Sequence, residues 1–378
     1  MNVAFNASIL RQPRTGIGEY ALQLGHALQT EEDITLHLFD GWRWRQDFPQ
    51  PVQNAIQGIA PILRKHLPGA YAMRRFLLQQ RFRSGVKKLK STVYHEPSLW
   101  PLDFDGVTLM TLHDLTHVHY PQTQPRERLR EIARRLPKAL AQSSLIFTDS
   151  AFIAQEARRH YAIAADKIRV APLGCSARFH PRSAAVLRPQ LQRLQLHMRR
   201  YFLCLGTLEP RKNTLLALSA YLRLPPAMRQ AYPLLLVGLR GWGQAEWSRP
   251  LEQAIASGQV RALGYQDDDT VAALLAGACA LLFPSRYEGF GLPVLEAMAS
   301  ATPVITCRRG AIPEVAAEAA LYVEPDDVDA CSHALATIAE DTPLQHRLAT
   351  MGLERARHFS WARCAQITAA GYRQAGSM

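Results

Sequence analysis

Residues 285–298 read SRYEGFGLPVLEAM and follow directly on the apolar run CALLFPS at 279–285. The apolar run predicts a buried strand, and Pro293 suits the first turn of a helix. The stretch is therefore a loop that joins a strand to a helix, with Glu288 before the helix and Glu296 about one turn inside it. Such units are the building blocks of parallel sheets covered by helices.

The same alternation continues on both sides of this stretch. Strand patterns occur at 3–9, 34–39, 91–96, 106–114, 144–150 and 168–174, and again at 201–207, 232–238, 260–265, 279–285, 303–307 and 320–325. Helical patterns lie between most of them. With 378 residues the chain is long enough for two domains. We expect an α/β protein of two Rossmann-like doubly wound domains that face each other across a cleft.

The expected boundaries follow from where the pattern restarts. The first domain spans 1–185 and the second spans 198–356, with a brief linker near 180–198. Residues 357–376 form a helical segment beyond the last strand, so this segment is free to pack elsewhere.

Composition limits the class of protein. The chain is 48% hydrophobic and 20% charged, as in ordinary globular proteins, and no apolar run reaches the roughly 18 residues of a membrane span. The first residues, MNVAFNASIL, lack the features of a signal peptide. The six cysteines form no C-x-x-C pair, which favours reduced structural thiols over disulfides or zinc. We expect a cytoplasmic protein.

The positive charge is concentrated in one half. Residues 1–190 hold 26 basic and 15 acidic side chains, against 18 and 17 in residues 191–378. Within the basic half, residues 64–90 carry nine Lys or Arg and no acid, with apolar residues interleaved. This pattern is typical either of a solvated helix face or of a segment that binds an anionic membrane surface. Nucleic-acid binding is not expected, because no aromatic-interleaved recognition motif appears.

Ligands of such sheets bind beyond the carboxyl ends of the strands, so the strand-to-helix loops are the candidate site. The first loop, TGIGEY at 15–20, follows strand 1 directly, and Gly16 and Gly18 would let a phosphate or sugar approach the backbone. A plain tight turn explains it equally well. The second loop is GTLEPRKN at 206–213, which begins at Gly206.

Two cations, Arg211 and Lys212, stand in this second loop where a helix begins. Cations are disfavoured at the positive end of a helix dipole unless an anion joins them. We expect them to bind a diphosphate and to neutralise the charge of a departing nucleoside diphosphate without a metal. The alternative is a structural ion pair with Glu209.

The third loop is the stretch quoted first. Glu288 is expected to hydrogen-bond sugar hydroxyls and Glu296 to bind a ribose diol. The backbone amides of Phe290, Gly291 and Leu292 would face the phosphates. The alternative is that Glu288 and Glu296 are surface acids without a binding role.

Together these segments resemble the retaining glycosyltransferases of family GT4, which have the GT-B fold. The resemblance extends over nearly the whole chain and includes the following segments: TGIGEY at 15–20, LHDL at 112–115, TDSAFIAQE at 148–156, APLG at 171–174, GTLEPRKN at 206–213, LGYQDDDTVAALLAGA at 263–278, SRYEGFGLPVLEAMAS at 285–300 and GAIPEVAAEAALYVEPDD at 310–327. Departures are small, with Glu19 where related sequences often have Arg and Gly310-Ala311 in place of a Gly-Gly pair.

The resemblance implies roles for several residues. Arg211 and Lys212 would hold the donor diphosphate, Glu296 the ribose, Glu288 the donor hexose, and His113 would lie at the sugar. It also implies front-face attack without a metal or other cofactor, and a terminal helix that crosses back to the N-terminal domain. The substrates would be a nucleotide diphosphate sugar and a glycan acceptor that is lipid-linked.

Two clusters could be mistaken for metal sites. His113, Asp114, His117 and His119 have metal-like spacing, but we interpret the segment as an irregular loop with one functional histidine. The run Asp267–Asp269 precedes an apolar helix, where acids cap the helix. Tyr265 is then a candidate to border the nucleotide base.

The donor remains open at this point. A GDP-linked mannose or rhamnose for polysaccharide or O-antigen assembly is favoured, and UDP sugars are the alternative. A nucleotide-sugar epimerase is a more remote possibility.

Overall fold

The computed structural model describes residues 1–12, 15–49, 70–239 and 248–377. It contains two sheets. The strands of the first sheet are β1 (Asn2–Asn6), β2 (Thr35–Phe39), β3 (Trp44–Arg45), β4 (Val93–Glu96), β5 (Val107–Leu112), β6 (Leu145–Thr148) and β7 (Ile168–Val170). The strands of the second sheet are β8 (Phe202–Leu205), β9 (Leu234–Val237), β10 (Val260–Gly264), β11 (Ala280–Phe283), β12 (Val304–Thr306) and β13 (Leu321–Tyr322).

Helices cover both sheets. In the first half they are α1 (Gly16–Leu28), α2 (Ala70–Leu89), α3 (Thr116–His119), α4 (Arg126–Gln142), α5 (Ala151–Tyr161) and α6 (Ala184–Arg193). In the second half they are α7 (Thr214–Arg223), α8 (Pro226–Ala231), α9 (Ser248–Ala256), α10 (Asp268–Gly277), α11 (Leu292–Ala299), α12 (Ile312–Ala316), α13 (Val328–Glu340), α14 (Thr342–Ala356) and α15 (Trp361–Gly376).

The strand order identifies two doubly wound sheets. The first runs β3-β2-β1-β4-β5-β6-β7 and is parallel except for β3, which pairs antiparallel with β2. The second runs β10-β9-β8-β11-β12-β13 and is parallel throughout. Their central strands are almost entirely buried, because helices cover both faces of a parallel sheet. The predicted α/β class with two Rossmann-like domains is confirmed.

Two local expectations were wrong. Strand 1 ends at Asn6 and a short 3-10 helix at Ser8–Arg11 follows, so TGIGEY does not come directly after the strand. Asn6 accepts a hydrogen bond from the amide of Ser8, which turns the chain there. The stretch near 180–198 is not simply a linker, because α6 lies within it. Leu187 and Leu191 of α6 are buried against the second domain.

The terminal helix α15 packs on the first sheet. Its Gly371 lies so close to Leu145 and Phe147 that a Cβ there would approach each of their side chains to 2.7 Å. Tyr372 hydrogen-bonds His95 of β4 at 2.6 Å, and Arg373 pairs with Asp33. The last helix therefore closes the core of the domain in which the chain begins.

Two general expectations concern membranes and thiols. Among the helices of the described residues, none is both long and apolar enough to cross a bilayer. All six cysteines are unpaired, and five of them are buried, as the scattered spacing predicted. Burial raises the pKa of Cys204, Cys279 and Cys364, so these thiols stay protonated.

Candidate active site

The two predicted cations lie beyond the end of β8. Gly206 follows the strand with a φ of +132°, and a 3-10 turn at Pro210–Lys212 then presents both side chains. Asn213 takes a left-handed conformation, with a φ of +57°, and donates to the carbonyl of Pro325 at 2.7 Å. This turn fixes the two cations at the start of α7.

Glu288 meets both cations. Its Oε1 lies 2.6 Å from Lys212 Nζ and its Oε2 lies 3.0 Å from Arg211 Nη1. Arg211 also pairs through Nε with Glu209 Oε1 at 2.8 Å. These side chains are mostly buried, with 8% of Glu288 and 16% of Lys212 exposed. The expected diphosphate cations and the expected sugar-binding acid thus form one buried, charge-balanced cluster, which includes the Glu209 ion pair.

The pKa values in this cluster depend on one another. Burial alone would raise the pKa of Glu288, but Lys212 and Arg211 bring it down to about 2. Burial and the neighbouring Arg211 lower the pKa of Lys212, and Glu288 opposes this decrease. The pKa of Arg211 lies above its ordinary value because Glu288 and Glu209 outweigh the effect of burial. Glu288 is therefore ionised at neutral pH and supports the charge of Lys212.

The glycines around Glu288 allow close backbone contacts, and at Gly289 the contact is between the two domains. A Cβ on Gly289 would lie 1.8 Å from the carbonyl oxygen of His113, which belongs to the first domain. Gly310 has a φ of +60°, and a Cβ there would lie 2.4 Å from the carbonyl oxygen of Glu288. Gly291 has a φ of +101°. Any side chain at Gly289 would push the two domains apart or displace Glu288.

His113 lies at the same boundary, in the loop after β5. Its Nδ1 is 2.7 Å from Asp149 Oδ2 and its Nε2 is 3.0 Å from the carbonyl oxygen of Pro97. Because both partners are acceptors, the ring is best satisfied as an imidazolium that donates at both nitrogens. Burial lowers the pKa of His113, but Asp149, the carbonyl of Pro97 and Asp114 together outweigh burial, and the pKa lies above its ordinary value. The ring of Tyr20 lies nearly perpendicular to that of His113, at a centroid distance of 4.7 Å.

Glu296 has different surroundings. It lies on α11, half-buried, and burial together with Glu19 and Asp268 raises its pKa to about 8, against the opposing effect of Arg178. Glu19 belongs to α1 of the first domain. The departure from the family pattern at Glu19 therefore places a second carboxylate near the residue expected to bind ribose.

Three further residues connect the domains, and our sequence reasoning assigned no role to them. Tyr287 accepts a hydrogen bond from the amide of Leu115 at 3.0 Å. Glu314 accepts from two amides at the start of α5 at 2.6 and 2.8 Å. Ser150 donates to the carbonyl of Gly289 at 2.8 Å. The segment GAIPEV, with Glu314 before an apolar run, was the available signal, but its partner lies 163 residues away in the chain.

The other predicted site residues have varied surroundings. A Cβ on Gly16 would meet nothing within 4 Å, so the backbone is open there, whereas Gly18 is buried in α1. The side chain of Phe290 is buried and packs against Phe359 at 5.7 Å, while Leu292 begins α11. Tyr265 is 47% exposed after β10.

The side chains of the two clusters whose spacing resembles that of metal ligands make other contacts in the structure. His113 bonds Asp149, His117 bonds Tyr161 and His119 contacts Glu156. Asp267 caps α10 by accepting from the amides of Asp269 and Thr270, as predicted. The acidic run is therefore a helix cap.

Comparison with known proteins gives the family. The model described as "Glycosyltransferase Family 4" matches residues 14–178, and "Glycosyl transferases group 1" matches residues 190–355. The O-antigen chain mannosyltransferase B of Escherichia coli is 34% identical, over 99% of this chain and 100% of that protein. The MMP alpha-(1->4)-mannosyltransferase of Mycolicibacterium hassiacum is 32% identical, over 66% of this chain and 57% of that protein.

The fold has matches among solved structures. A sucrose-phosphate synthase from Thermosynechococcus elongatus superposes with a TM-score of 0.76 at 23% identity, covering 99% of this chain and 98% of that one. Together with the two sheets and the loops at their carboxyl ends, these matches show that the chain belongs to the family 4 glycosyltransferases of the GT-B fold.

Proposed function

We propose that the protein transfers a mannosyl residue, with retention of anomeric configuration, from a nucleotide diphosphate sugar to a growing O-antigen or related polysaccharide chain. GDP-mannose is the favoured donor, GDP-rhamnose comes next and a UDP sugar is the alternative. The observation that carries the proposal is the buried cluster of Arg211, Lys212 and Glu288 at the strand ends of the second sheet. The similarity to an E. coli O-antigen mannosyltransferase over its full length supports the sugar and the pathway class.

Donor binding exchanges partners within this cluster. The cavity beside Lys212 measures about 20 Å³ and is lined by Gly206, Thr207 and Phe283 among others, which is room for roughly one water. A diphosphate therefore takes the place of the Glu288 carboxylate on the two cations. Glu288 is then released to accept hydrogen bonds from hydroxyls of the donor sugar, and Glu296 binds the ribose.

The chemical step uses the same charges. The bond from the anomeric carbon to the diphosphate oxygen breaks while the acceptor hydroxyl attacks from the same face. The hydroxyl proton passes to the departing diphosphate, whose negative charge Arg211 and Lys212 stabilise. His113, hydrogen-bonded to Asp149, lies beside the Gly289 backbone at the boundary that the donor sugar would occupy. The scheme requires neither a protein nucleophile nor a metal.

Donor identity is tested by ligand binding and by turnover. Because a ligand that binds the native state raises the melting temperature, GDP-mannose should raise it more than GDP-rhamnose, UDP-glucose or UDP-N-acetylglucosamine. Transfer with the best donor should also persist after dialysis against EDTA. If a UDP sugar gives the largest shift and supports transfer, the GDP assignment is wrong. If activity returns only with added Mg²⁺ or Mn²⁺, the metal-free scheme is wrong.

We further propose that the acceptor is lipid-linked and that the basic segment binds an anionic membrane surface. Residues 64–69 and the side chains of Arg74 and Arg75 lie outside the described residues. In the described part of α2, Met73, Phe76 and Leu77 are 61%, 58% and 44% exposed, and Arg81 lies 4.1 Å above the ring of Trp42, itself 55% exposed. Exposed apolar side chains beside cations are typical of membrane-surface helices.

The membrane proposal is tested with liposomes. Each basic side chain near an anionic surface contributes about 1 kcal/mol, so binding should require anionic lipid and weaken with salt. A variant with Arg74, Arg75, Arg81 and Arg83 changed to Gln should sediment less with the liposomes. The matched control removes four arginines of α4, namely Arg126, Arg128, Arg130 and Arg134. If wild type ignores lipid charge, or both variants lose binding equally, the segment is a solvated helix face.

A further inference from the structure

A histidine and carboxylate cluster lies outside the candidate active site, on the first domain. Glu156 and His160 are one turn apart on α5, so they share a face of that helix. His119 ends the short helix α3, and its Nε2 contacts Glu156 Oε2. The Nε2 of His160 lies 3.9 Å from Glu156 Oε1. One carboxylate thus stands between two imidazoles.

This arrangement has the donor set of a transition-metal site. The potential ligand atoms of the three residues all lie within 4.8 Å of one another. Zn²⁺ binds His nitrogen and carboxylate oxygen at about 2.0–2.2 Å, so in its tetrahedral geometry two ligand atoms stand roughly 3.4 Å apart. Side-chain adjustments of about 1–1.5 Å therefore bring all three atoms around one ion. Two imidazoles and one carboxylate suit a divalent cation.

The surroundings favour an ion over a simple ion pair. His119 and His160 are 30% and 29% exposed, so an ion can enter from solvent and water can complete its coordination. A carboxylate hydrogen-bonded to His119 leaves His160 beyond hydrogen-bonding distance, whereas an ion would engage both rings. The two rings stand nearly perpendicular, at 84°, with centroids 5.2 Å apart.

A second layer of contacts holds the ligands in place. The ring of Tyr287, from the second domain, packs on His119 at a centroid distance of 5.0 Å, and its hydroxyl lies 3.4 Å from Glu156 Oε2. Tyr287 is 4% exposed, so this contact is buried between the two domains. Such outer contacts orient ligands and strengthen metal sites.

We propose that His119, Glu156 and His160 bind a divalent transition-metal ion of the Zn²⁺ class, separate from the transfer chemistry. The ion joins α3 to α5 beneath the side chain of Tyr287, where the second domain docks. It stabilises that docking surface.

The experiment is a Zn²⁺ titration of tag-free, EDTA-treated full-length protein without donor, read by calorimetry and by competition with a chromophoric chelator. Wild type should bind one Zn²⁺. His119→Ala and His160→Ala should each lower the affinity for Zn²⁺ by at least about tenfold, since even loss of an outer contact lowers it roughly 10–100-fold. His346→Ala removes an exposed histidine of α14 and should bind as wild type does.

A second variant separates ligation from folding. His160→Cys keeps a zinc ligand at this position and should retain binding that His160→Ala loses. Zn²⁺ should also raise the melting temperature of wild type and of His160→Cys, but not of His160→Ala. If wild type binds no Zn²⁺, or if His119→Ala and His160→Ala bind it as wild type does, the proposal is wrong.

Discussion

The two glutamates of the stretch quoted first, Glu288 in the loop and Glu296 on α11, are separated by seven residues and have opposite electrostatic surroundings. Glu288 is held by Lys212 and Arg211, which lower its pKa to about 2. Glu296 is half-buried near Glu19 and Asp268, and its pKa is raised to about 8. At neutral pH the first is a carboxylate and the second is mostly a carboxylic acid.

The difference teaches that one short sequence motif can supply two chemically distinct groups. Glu288 neutralises two cations that can also bind a diphosphate. We therefore expect the donor diphosphate to replace the Glu288 carboxylate on these cations. Glu296 can donate as well as accept a hydrogen bond while it is protonated. Burial is the largest cause of the raised pKa of Glu296, and Glu19 of the first domain and Asp268 of the second add to it. At Glu288 the cations of the second domain outweigh burial.

The largest effect is expected from removing the cations at the Glu288 end. Lys212→Ala and Arg211→Ala should each reduce the transfer rate by about 10²–10³, because a charge stabiliser of the leaving group is lost. Initial rates with saturating acceptor measure this. Arg223→Ala, which removes an exposed arginine paired with Asp329, is the matched control and should retain the wild-type rate. Near-normal turnover in both site variants would remove the diphosphate assignment.

Glu288→Gln should lower the free energy of unfolding. Two buried cations would lose their shared counter-ion, and breaking a buried pair costs roughly 3–5 kcal/mol. The pKa of Lys212, already lowered by burial, should fall further. Chemical denaturation at pH 7 measures the free energy of unfolding.

The same variant has a defined pH dependence. Because the folded-state pKa of Glu288 lies near 2, below its ordinary 4.5, its stabilising contribution is present above about pH 4.5 and is lost as pH falls toward 2. Wild type and Glu288→Gln should therefore become more alike in acid. An equal gap at pH 3 and pH 7 would contradict the ion-pair account.

Glu296→Gln should change stability with the opposite dependence on pH. The folded-state pKa near 8 lies above the ordinary 4.5, so the stability contributed by this group is full below about pH 4.5 and is lost as pH rises toward 8. The melting temperature of wild type should fall between pH 5 and pH 8 more steeply than that of Glu296→Gln. Parallel curves for the two proteins would mean that Glu296 has an ordinary pKa.

The smallest effect is expected from weakening the contact by which the first domain holds Tyr287, the residue before Glu288. Tyr287→Phe removes the hydrogen bond from the amide of Leu115, which is worth about 1 kcal/mol. The transfer rate should fall severalfold, because Glu288 follows Tyr287 directly. Tyr232→Phe removes a hydroxyl that bonds Ala339 within the second domain and is the matched control. Equal rates in the two variants would mean that docking of Tyr287 does not position Glu288.

Much of the fold could be predicted from local pattern. The strands with continuous apolar runs and the helix at 151–161 fall where periodicity places them. The helix at 184–193 was missed because its polar and proline-containing sequence hides the two leucines that pack on the second domain. The extra strand at 44–45 has only two residues, too few to show a period.

The sequence by itself determined the α/β class, the two-domain organisation and which loops lie at the carboxyl ends of the strands, because periodicity, glycines and helix starts are local properties. Only the tertiary structure decided that Glu288 neutralises Arg211 and Lys212, some 76 residues earlier in the chain, and that Tyr287 docks on His119. Hydrogen bonds and ion pairs act over a few ångströms, so these partners depend on how distant segments pack.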